Sequence, residues 1–164
     1  MTKKLKIQFI AEIGLNHNGN FDNCYQLIKS AKEAGADICK FQLGWRYKKG
    51  ELNYIDDTTL KKIISLCKFF EIELLFSVMN LESYLRLKKI GFKKYKIASR
   101  SLIDDINLIN KIIRDKNQLI VSLGMWNKKT LPFGQKKNIK YLWCKSKYPT
   151  YLEDLKDFPN KFDS

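Results

Sequence analysis

The stretch "IAEIGLNHNGNFDNCYQLIKSAKEAGADICKFQ", Ile10 to Gln42, contains the structural unit that the rest of this sequence repeats. A short apolar run passes into a polar turn, and a segment with helical spacing follows from Phe21 to Ala34. Gly35 lies where a helix commonly ends, and a second apolar run, Asp37–Gln42, begins two residues later. Strand, helix and strand in this order predict two parallel strands joined by a crossover helix.

The same alternation continues to the last third of the chain. It predicts strands at Ile7–Ile13, Asp37–Gln42, Glu73–Ser77, Tyr95–Ala98, Gln118–Ser122 and Ile139–Cys144. It predicts helices at Phe21–Ala34, Thr58–Phe70, Leu81–Ile90 and Leu102–Arg114, with Leu85 and Leu87 near the inner face of the third and Ser101 capping the fourth. The fifth crossover, "GMWNKKTLPFGQKKN", contains Gly, Pro and Gly where a helix would be expected.

This pattern predicts an α/β protein with about six parallel strands and about five crossover segments. An open doubly wound sheet and part of a (β/α)₈ barrel both fit the pattern. A complete barrel takes about 250 residues and at least roughly 200, whereas this chain has 164. If the fold is of the barrel type, we therefore expect an incomplete TIM-type barrel that forms a single domain over residues 1–164.

The composition excludes several classes of protein. Lys and Arg exceed Asp and Glu by 31 to 17, but the lysines are scattered, which favours general attraction to anionic substrates over a specific nucleic-acid surface. Four cysteines without a CxxC pair and a single histidine give no zinc pattern, so reduced thiols in a cytoplasmic protein are expected. No apolar run approaches the ~20 residues that span a bilayer, and the N-terminus is typical of a first strand.

Polar side chains gather where the predicted strands end, which is where parallel α/β proteins carry their chemistry. Lys40 and Lys96 lie inside apolar strands, and a buried ammonium requires an anion. A phosphate or carboxylate ligand would satisfy them, with Ser99 nearby. Glu12 is either a proton-handling group or the internal ion-pair partner of one lysine, and both interpretations remain open. The lone His17 is more typical of a hydrogen-bonded loop residue than of a metal ligand.

Five motifs, "IAEIGLNHNGN", "AKEAGADICKFQ", "YKIASRS", "VSLGM" and "CKSKYPTYLEDL", together resemble the sialic acid synthase family. That family includes the N-acetylneuraminate, pseudaminic acid and legionaminic acid synthases. The resemblance implies a barrel enzyme that condenses phosphoenolpyruvate with an N-acetylated amino sugar. It also implies a divalent cofactor, Mn²⁺ or Mg²⁺, which polarises the sugar aldehyde.

The resemblance also assigns roles to residues. Glu12 matches the active-site glutamate, and Lys40, Lys96, Ser99 and Ser122 match phosphoenolpyruvate-binding positions. On the sugar side the matching residues are Gln42 and Tyr148. We add Ser77 and Ser146, at the ends of the third and sixth strands, to the predicted substrate-binding residues.

The sequence departs from the family in places that matter for catalysis. Ser101 stands where a sugar-binding glutamate is frequent, and Trp143 where a histidine is common. We find no counterpart of the two metal-binding histidines on later strands, nor of the C-terminal antifreeze-like domain. We therefore expect no activity from this chain alone, with a second chain or self-association completing the barrel. A degenerate relative that binds a phosphorylated ligand or a partner, and a basic polyanion-binding protein, are the alternatives.

Overall fold

The computed structural model describes residues 7–45 and 48–155. The chain divides into two compact units, with the division between Phe76 and Ser77. The prediction of a single domain over residues 1–164 stays a prediction.

The first unit repeats the strand–helix pattern that opens the sequence. It contains β1 (Ile10–Gly14), α1 (Phe21–Glu33), β2 (Ile38–Leu43), α2 (Asp57–Phe69) and the first part of β3 (Glu73–Val78). The order is β1–β2–β3, and β1 and β2 are parallel. The side chain of Asn20 caps α1 by accepting the N–H groups of Asp22 and Asn23. The predicted C-terminal signal is confirmed, because Gly35 follows α1 with a φ of +81°.

The second unit contains the remaining strands. Its elements are α3 (Leu81–Lys89), β4 (Lys94–Ile97), α4 (Ser99–Asp104), α5 (Ile106–Arg114), β5 (Gln118–Ser122), β6 (Ile139–Leu142) and a short 3-10 helix (Leu152–Leu155). Strands β4, β5 and β6 are parallel neighbours in that order. Buried apolar side chains lie on both faces of β5 but on one face of β4 and of β6, where they alternate with half-buried or exposed residues. Tyr95, Ile97 and Val121 on the strands and Ile109 on α5 are fully buried.

The predicted fourth helix is wrong in its start and in its continuity. Ser101 lies inside α4 and caps no helix. The helix is interrupted at Asp105, and α5 begins at the next residue. The Asp105 side chain accepts the N–H of Leu108 at 3.0 Å, so a carboxylate suited to an N-cap ends one helix and begins the next. Ile103, in α4, is 49% exposed.

Of two further predictions about the crossover segments, one is partly wrong and the other is confirmed. Leu87 is fully buried, but Leu85 is 46% exposed, so its predicted inner position is wrong. The fifth crossover was expected to lack a regular helix, and residues 123–138 indeed form turns without a helix. Among the described residues no helix is both long and apolar enough to cross a bilayer.

The α/β class with about six parallel strands is confirmed. The strand boundaries agree with the sequence pattern to within three residues, the largest difference being the start of β1 at Ile10. Of the polar residues that the sequence singled out, Glu12, Lys40 and Lys96 lie inside β1, β2 and β4. Ser122 ends β5, and Ser99 follows β4.

Candidate functional site

In the first unit, Glu12 and Lys40 face each other across β1 and β2. They are register partners, and Glu12 Oε2 forms an ion pair with Lys40 Nζ. The Lys40 side chain is only 8% exposed, whereas the Glu12 side chain is 55% exposed. The ion pair therefore joins a buried ammonium to a half-exposed carboxylate.

Gly14 makes room for this pair and for Gln42. The β1–β2 register shifts between Glu12 and Gly14, and Gly14 has a φ of +57°. A Cβ at this position would lie 3.3 Å from Glu12 Oε1 and 3.9 Å from Gln42 Nε2. The bulge thus brings a carboxylate and an amide over a residue without a side chain. The ion pair is the internal pairing of Glu12 with a lysine that the sequence analysis left open as an alternative, and the roles of Glu12, Lys40 and Gln42 in binding stay predictions.

His17 is a fully buried loop residue, in agreement with the sequence interpretation. Its Nδ1 accepts the N–H of Gly19 at 3.0 Å, and burial lowers its pKa. The imidazole is therefore neutral with its proton on Nε2, and Nε2 has no hydrogen-bond partner among the described residues. Asn53, which the sequence analysis missed, is similarly buried with an unpaired Oδ1. Its only sequence signal is that Asn tolerates the left-handed backbone found here, with φ +75°.

In the second unit, three strand ends meet around Gly124. The buried Ser99, just after β4, accepts the N–H of Gly124 through Oγ at 3.1 Å. Ser99 Oγ also lies 3.5 Å from Cys144 Sγ. A Cβ on Gly124 would collide with Ser146 Oγ, and it would lie 2.8 Å from the Cys144 carbonyl oxygen. The structure thus gathers Ser99 and Ser146, and it adds Gly124 and Cys144, to which the sequence analysis assigned no role.

The other predicted residues occupy varied environments. Ser77 in β3 and Ser122 at the end of β5 are buried, and Lys96 in β4 is half-buried opposite Ile120. Tyr148 is completely exposed, which sets it apart from the buried cluster around Gly124. Its predicted sugar-side role stays a prediction.

The four cysteines are all free thiols, as expected from their spacing. Burial raises the pKa of Cys24 and of Cys39 to about 11 and that of Cys67 to about 12. These three thiols are protonated at neutral pH and belong to the packed interior of the first unit.

The described residues do not fit a divalent metal. None of their His, Cys, Asp and Glu side chains form a group of three or more that could hold one. Glu12 is paired with Lys40, and the only histidine accepts a backbone N–H. Neither Mn²⁺ nor Mg²⁺ is therefore assigned to ligands of this chain.

The fold and these strand-end residues place the chain among the parallel α/β proteins that carry polar groups at the carboxyl ends of their strands. The model of the NeuB family matches residues 45–156, and the chain belongs to that family. The N,N'-diacetyllegionaminic acid synthase of Campylobacter jejuni is 28% identical over 92% of this chain and 54% of its own length. A pseudaminic acid synthase of the same species is also 28% identical, over 92% of this chain and 52% of its own length.

A solved structure agrees with this assignment at the level of the fold. The N-acetylneuraminic acid synthetase of Leptospira borgpetersenii superposes with a TM-score of 0.76 at 21% identity. The match covers 92% of this chain and 58% of that one. The chain thus has the fold of the corresponding part of a sialic acid synthetase, and it spans about half the length of the curated relatives named above.

Proposed function

We propose that this chain provides the phosphoenolpyruvate-binding part of a synthase that makes a nonulosonic acid from an N-acetylated amino sugar. The observation that carries the proposal is the Glu12–Lys40 pair, in which a buried ammonium is joined to a half-exposed carboxylate. Membership of the NeuB family supports it. Because the described residues offer no metal-ligand group, we expect the chain to require a second chain for turnover.

Lys40 has the chemistry to bind an anion that displaces Glu12. A lysine ammonium donates up to three hydrogen bonds, and such bonds to carboxylate or phosphate oxygens are stronger than those between neutral groups. The displacing anion would restore the charge balance that the buried ammonium requires. We assign the carboxylate or the phosphate of phosphoenolpyruvate to this place.

Glu12 would then be released for proton transfer. In the proposed reaction, carbon 3 of phosphoenolpyruvate forms a bond with the aldehyde carbon of the sugar, and the aldehyde oxygen takes up a proton. Water adds to carbon 2, and phosphate leaves. A half-exposed carboxylate beside an anion site is suited to accept the proton from that water at Oε2.

In the second unit, Ser99 is the residue that we assign to an anion oxygen. Its Oγ already accepts the Gly124 N–H, so its own hydrogen can be donated to Cys144 Sγ or to a ligand oxygen. The half-buried Lys96 on β4 supplies positive charge in the same unit.

Calorimetric titration with phosphoenolpyruvate tests the proposal. We expect Lys40→Met to weaken binding about tenfold or more, because hydrogen bonds to charged groups contribute roughly 1.5–3 kcal/mol. Lys68→Met, at the exposed end of α2, is the matched control and should bind like the wild type. Equal affinities of the Lys40 variant and the wild type would contradict the assignment.

A non-catalytic relative that binds a phosphorylated ligand is the second candidate, and the lack of a metal-ligand group within residues 7–45 and 48–155 favours it. A phosphate-release assay with phosphoenolpyruvate, N-acetylmannosamine and Mn²⁺ separates the two. We expect no turnover by the chain alone and turnover when a chain supplying the remaining part of the family fold is added. Ligand binding without turnover in that reconstituted mixture would support the second candidate.

A further inference from the structure

A cleft of about 510 Å³ opens in the second unit beside the loop that follows β5. Small-molecule sites commonly measure about 300–1,000 Å³. Two indoles and three ammonium groups line it, from Trp126, Trp143, Lys128, Lys129 and Lys145. The cleft shares Gly124 and Cys144 with the cluster around Ser99, whereas none of the residues predicted to bind substrate lies among its described lining residues.

The indoles and the lysines are arranged in pairs. The Nε1–H of Trp126 donates to the Thr130 carbonyl oxygen at 2.7 Å, which fixes the orientation of that ring. Lys128 Nζ lies 5.3 Å from the Trp126 ring centroid, and Lys145 Nζ lies 5.9 Å from that of Trp143. Both distances are within the range of cation–π contacts. The cleft thus presents flat aromatic surface and positive charge side by side.

This lining selects for a particular ligand chemistry. Its described side chains are hydrogen-bond donors and apolar groups, and neither a carboxylate nor an amide is among them. The hydroxyl groups of a neutral sugar need acceptors as well as donors, and among the described side chains of the lining only the Thr130 hydroxyl and the Cys144 thiol could accept. The cleft therefore suits a ligand that is itself rich in acceptors, negatively charged and flat on one part.

We infer that the cleft binds a nucleoside phosphate, with the base stacked on the indoles and the phosphate among the lysine ammonium groups. Stacking of bases on aromatic side chains combined with a cationic surface is a general mode of nucleotide binding. A cleft volume of about 510 Å³ fits a single nucleotide rather than an extended strand. This binding is additional to the proposed condensation, uses neither Glu12 nor Lys40, and takes place beside the Ser99 cluster.

Fluorescence and calorimetric titrations test the inference. Trp45 lies in the first unit and is the only tryptophan outside the cleft, so the Trp45→Phe variant leaves the two cleft indoles as reporters. The probes are uridine 5′-diphosphate and adenosine 5′-diphosphate, compared with ribose 5-phosphate and inorganic phosphate. We expect the nucleotides to quench the fluorescence and to bind about five- to hundredfold more tightly than ribose 5-phosphate, because of base stacking.

Variants locate the binding. Trp126→Leu should remove most of the preference for nucleotides over ribose 5-phosphate. Lys129→Gln should weaken the binding of the nucleotides and of ribose 5-phosphate alike. Lys137 is an exposed residue of the same loop and lies outside the cleft lining. Lys137→Gln is therefore the matched control and should change neither the affinity for nucleotides nor that for ribose 5-phosphate. Lys129 is exposed, so its variant keeps the test valid if Trp126→Leu does not fold.

Several results would overturn the inference. Equal affinity for ribose 5-phosphate and for the nucleotides would reduce the cleft to a phosphate site. Nucleotide binding that is unchanged in a folded Trp126→Leu variant and in Lys129→Gln would place the ligand elsewhere. A single-stranded decanucleotide binding more than about tenfold tighter than a mononucleotide would indicate an extended nucleic-acid surface instead.

Discussion

Gly124 donates its backbone N–H to Ser99 Oγ at 3.1 Å, and this bond connects the chain after β5 to the first residue of α4. The approach is close enough that Gly124 has no space for a side chain. Ser146 and Cys144, both from the segment after β6, fill the position that a Cβ would take. The second unit therefore gathers three strand ends around one glycine, and a change at this residue affects all three.

Gly124→Ala should destabilise the second unit. The Cβ would lie 2.8 Å from the Cys144 carbonyl oxygen and 2.9 Å from its Sγ, and a backbone atom cannot move aside cheaply. Overpacking of this kind costs about 1–3 kcal/mol, which urea denaturation would measure. The double variant Gly124→Ala/Ser146→Ala should recover only part of the loss, because it removes the contact with Ser146 Oγ and keeps those with Cys144. A stability of Gly124→Ala equal to the wild type would argue against this packing.

The two members of the Glu12–Lys40 pair should differ in their effect on stability. Glu12→Gln leaves the buried Lys40 ammonium without its carboxylate and should lower the free energy of unfolding by about 1–2 kcal/mol, a value reduced by the partial exposure of Glu12. Lys40→Met removes the buried charge and should leave stability nearly unchanged, since an apolar side chain of similar length replaces it. Urea titrations of both variants and of the double variant measure this coupling. A larger loss for Lys40→Met than for Glu12→Gln would show that the ion pair itself stabilises the fold.

The sequence pattern predicted the helices and strands well where hydrophobic spacing and capping residues agreed. It failed where the capping preference of a single residue opposed the hydrophobic spacing. The isoleucines from Ile103 to Ile113 suggested one helix, but the capping preference of Asp105 divides it in two. The sequence left open whether Glu12 handles protons or pairs with one of the lysines, and the register of β1 and β2 shows that it pairs with Lys40. The Ser99–Gly124 contact could not be predicted, since it depends on two loops meeting and on the absence of a side chain.

Thiol reactivity should separate the four cysteines. At pH 8 a thiol with a pKa of about 11, as burial gives Cys39, is ionised in roughly one molecule in a thousand. Cys24 and Cys67 are similarly buried, while Cys144 is half-buried near the chain surface. Iodoacetamide labelling followed by peptide mass spectrometry should therefore modify Cys144 first in the native protein. Equal labelling of all four under native conditions, with even labelling in urea as the reference, would contradict the burial of the first three.

His17 should make stability depend on pH in a narrow range. Burial lowers its pKa in the folded state, so the folded protein holds fewer protons than the unfolded chain once the pH falls below the ordinary value of 6.5. The stability that the neutral imidazole contributes is therefore complete above that value and declines as the pH falls from about 7 toward the lowered pKa. Urea midpoints measured between pH 7.5 and pH 5 should fall in the wild type. The decline should be smaller in His17→Asn, whose amide oxygen can still accept the Gly19 N–H but cannot take up a proton. Identical pH profiles for the two proteins would show that His17 does not titrate as a buried group.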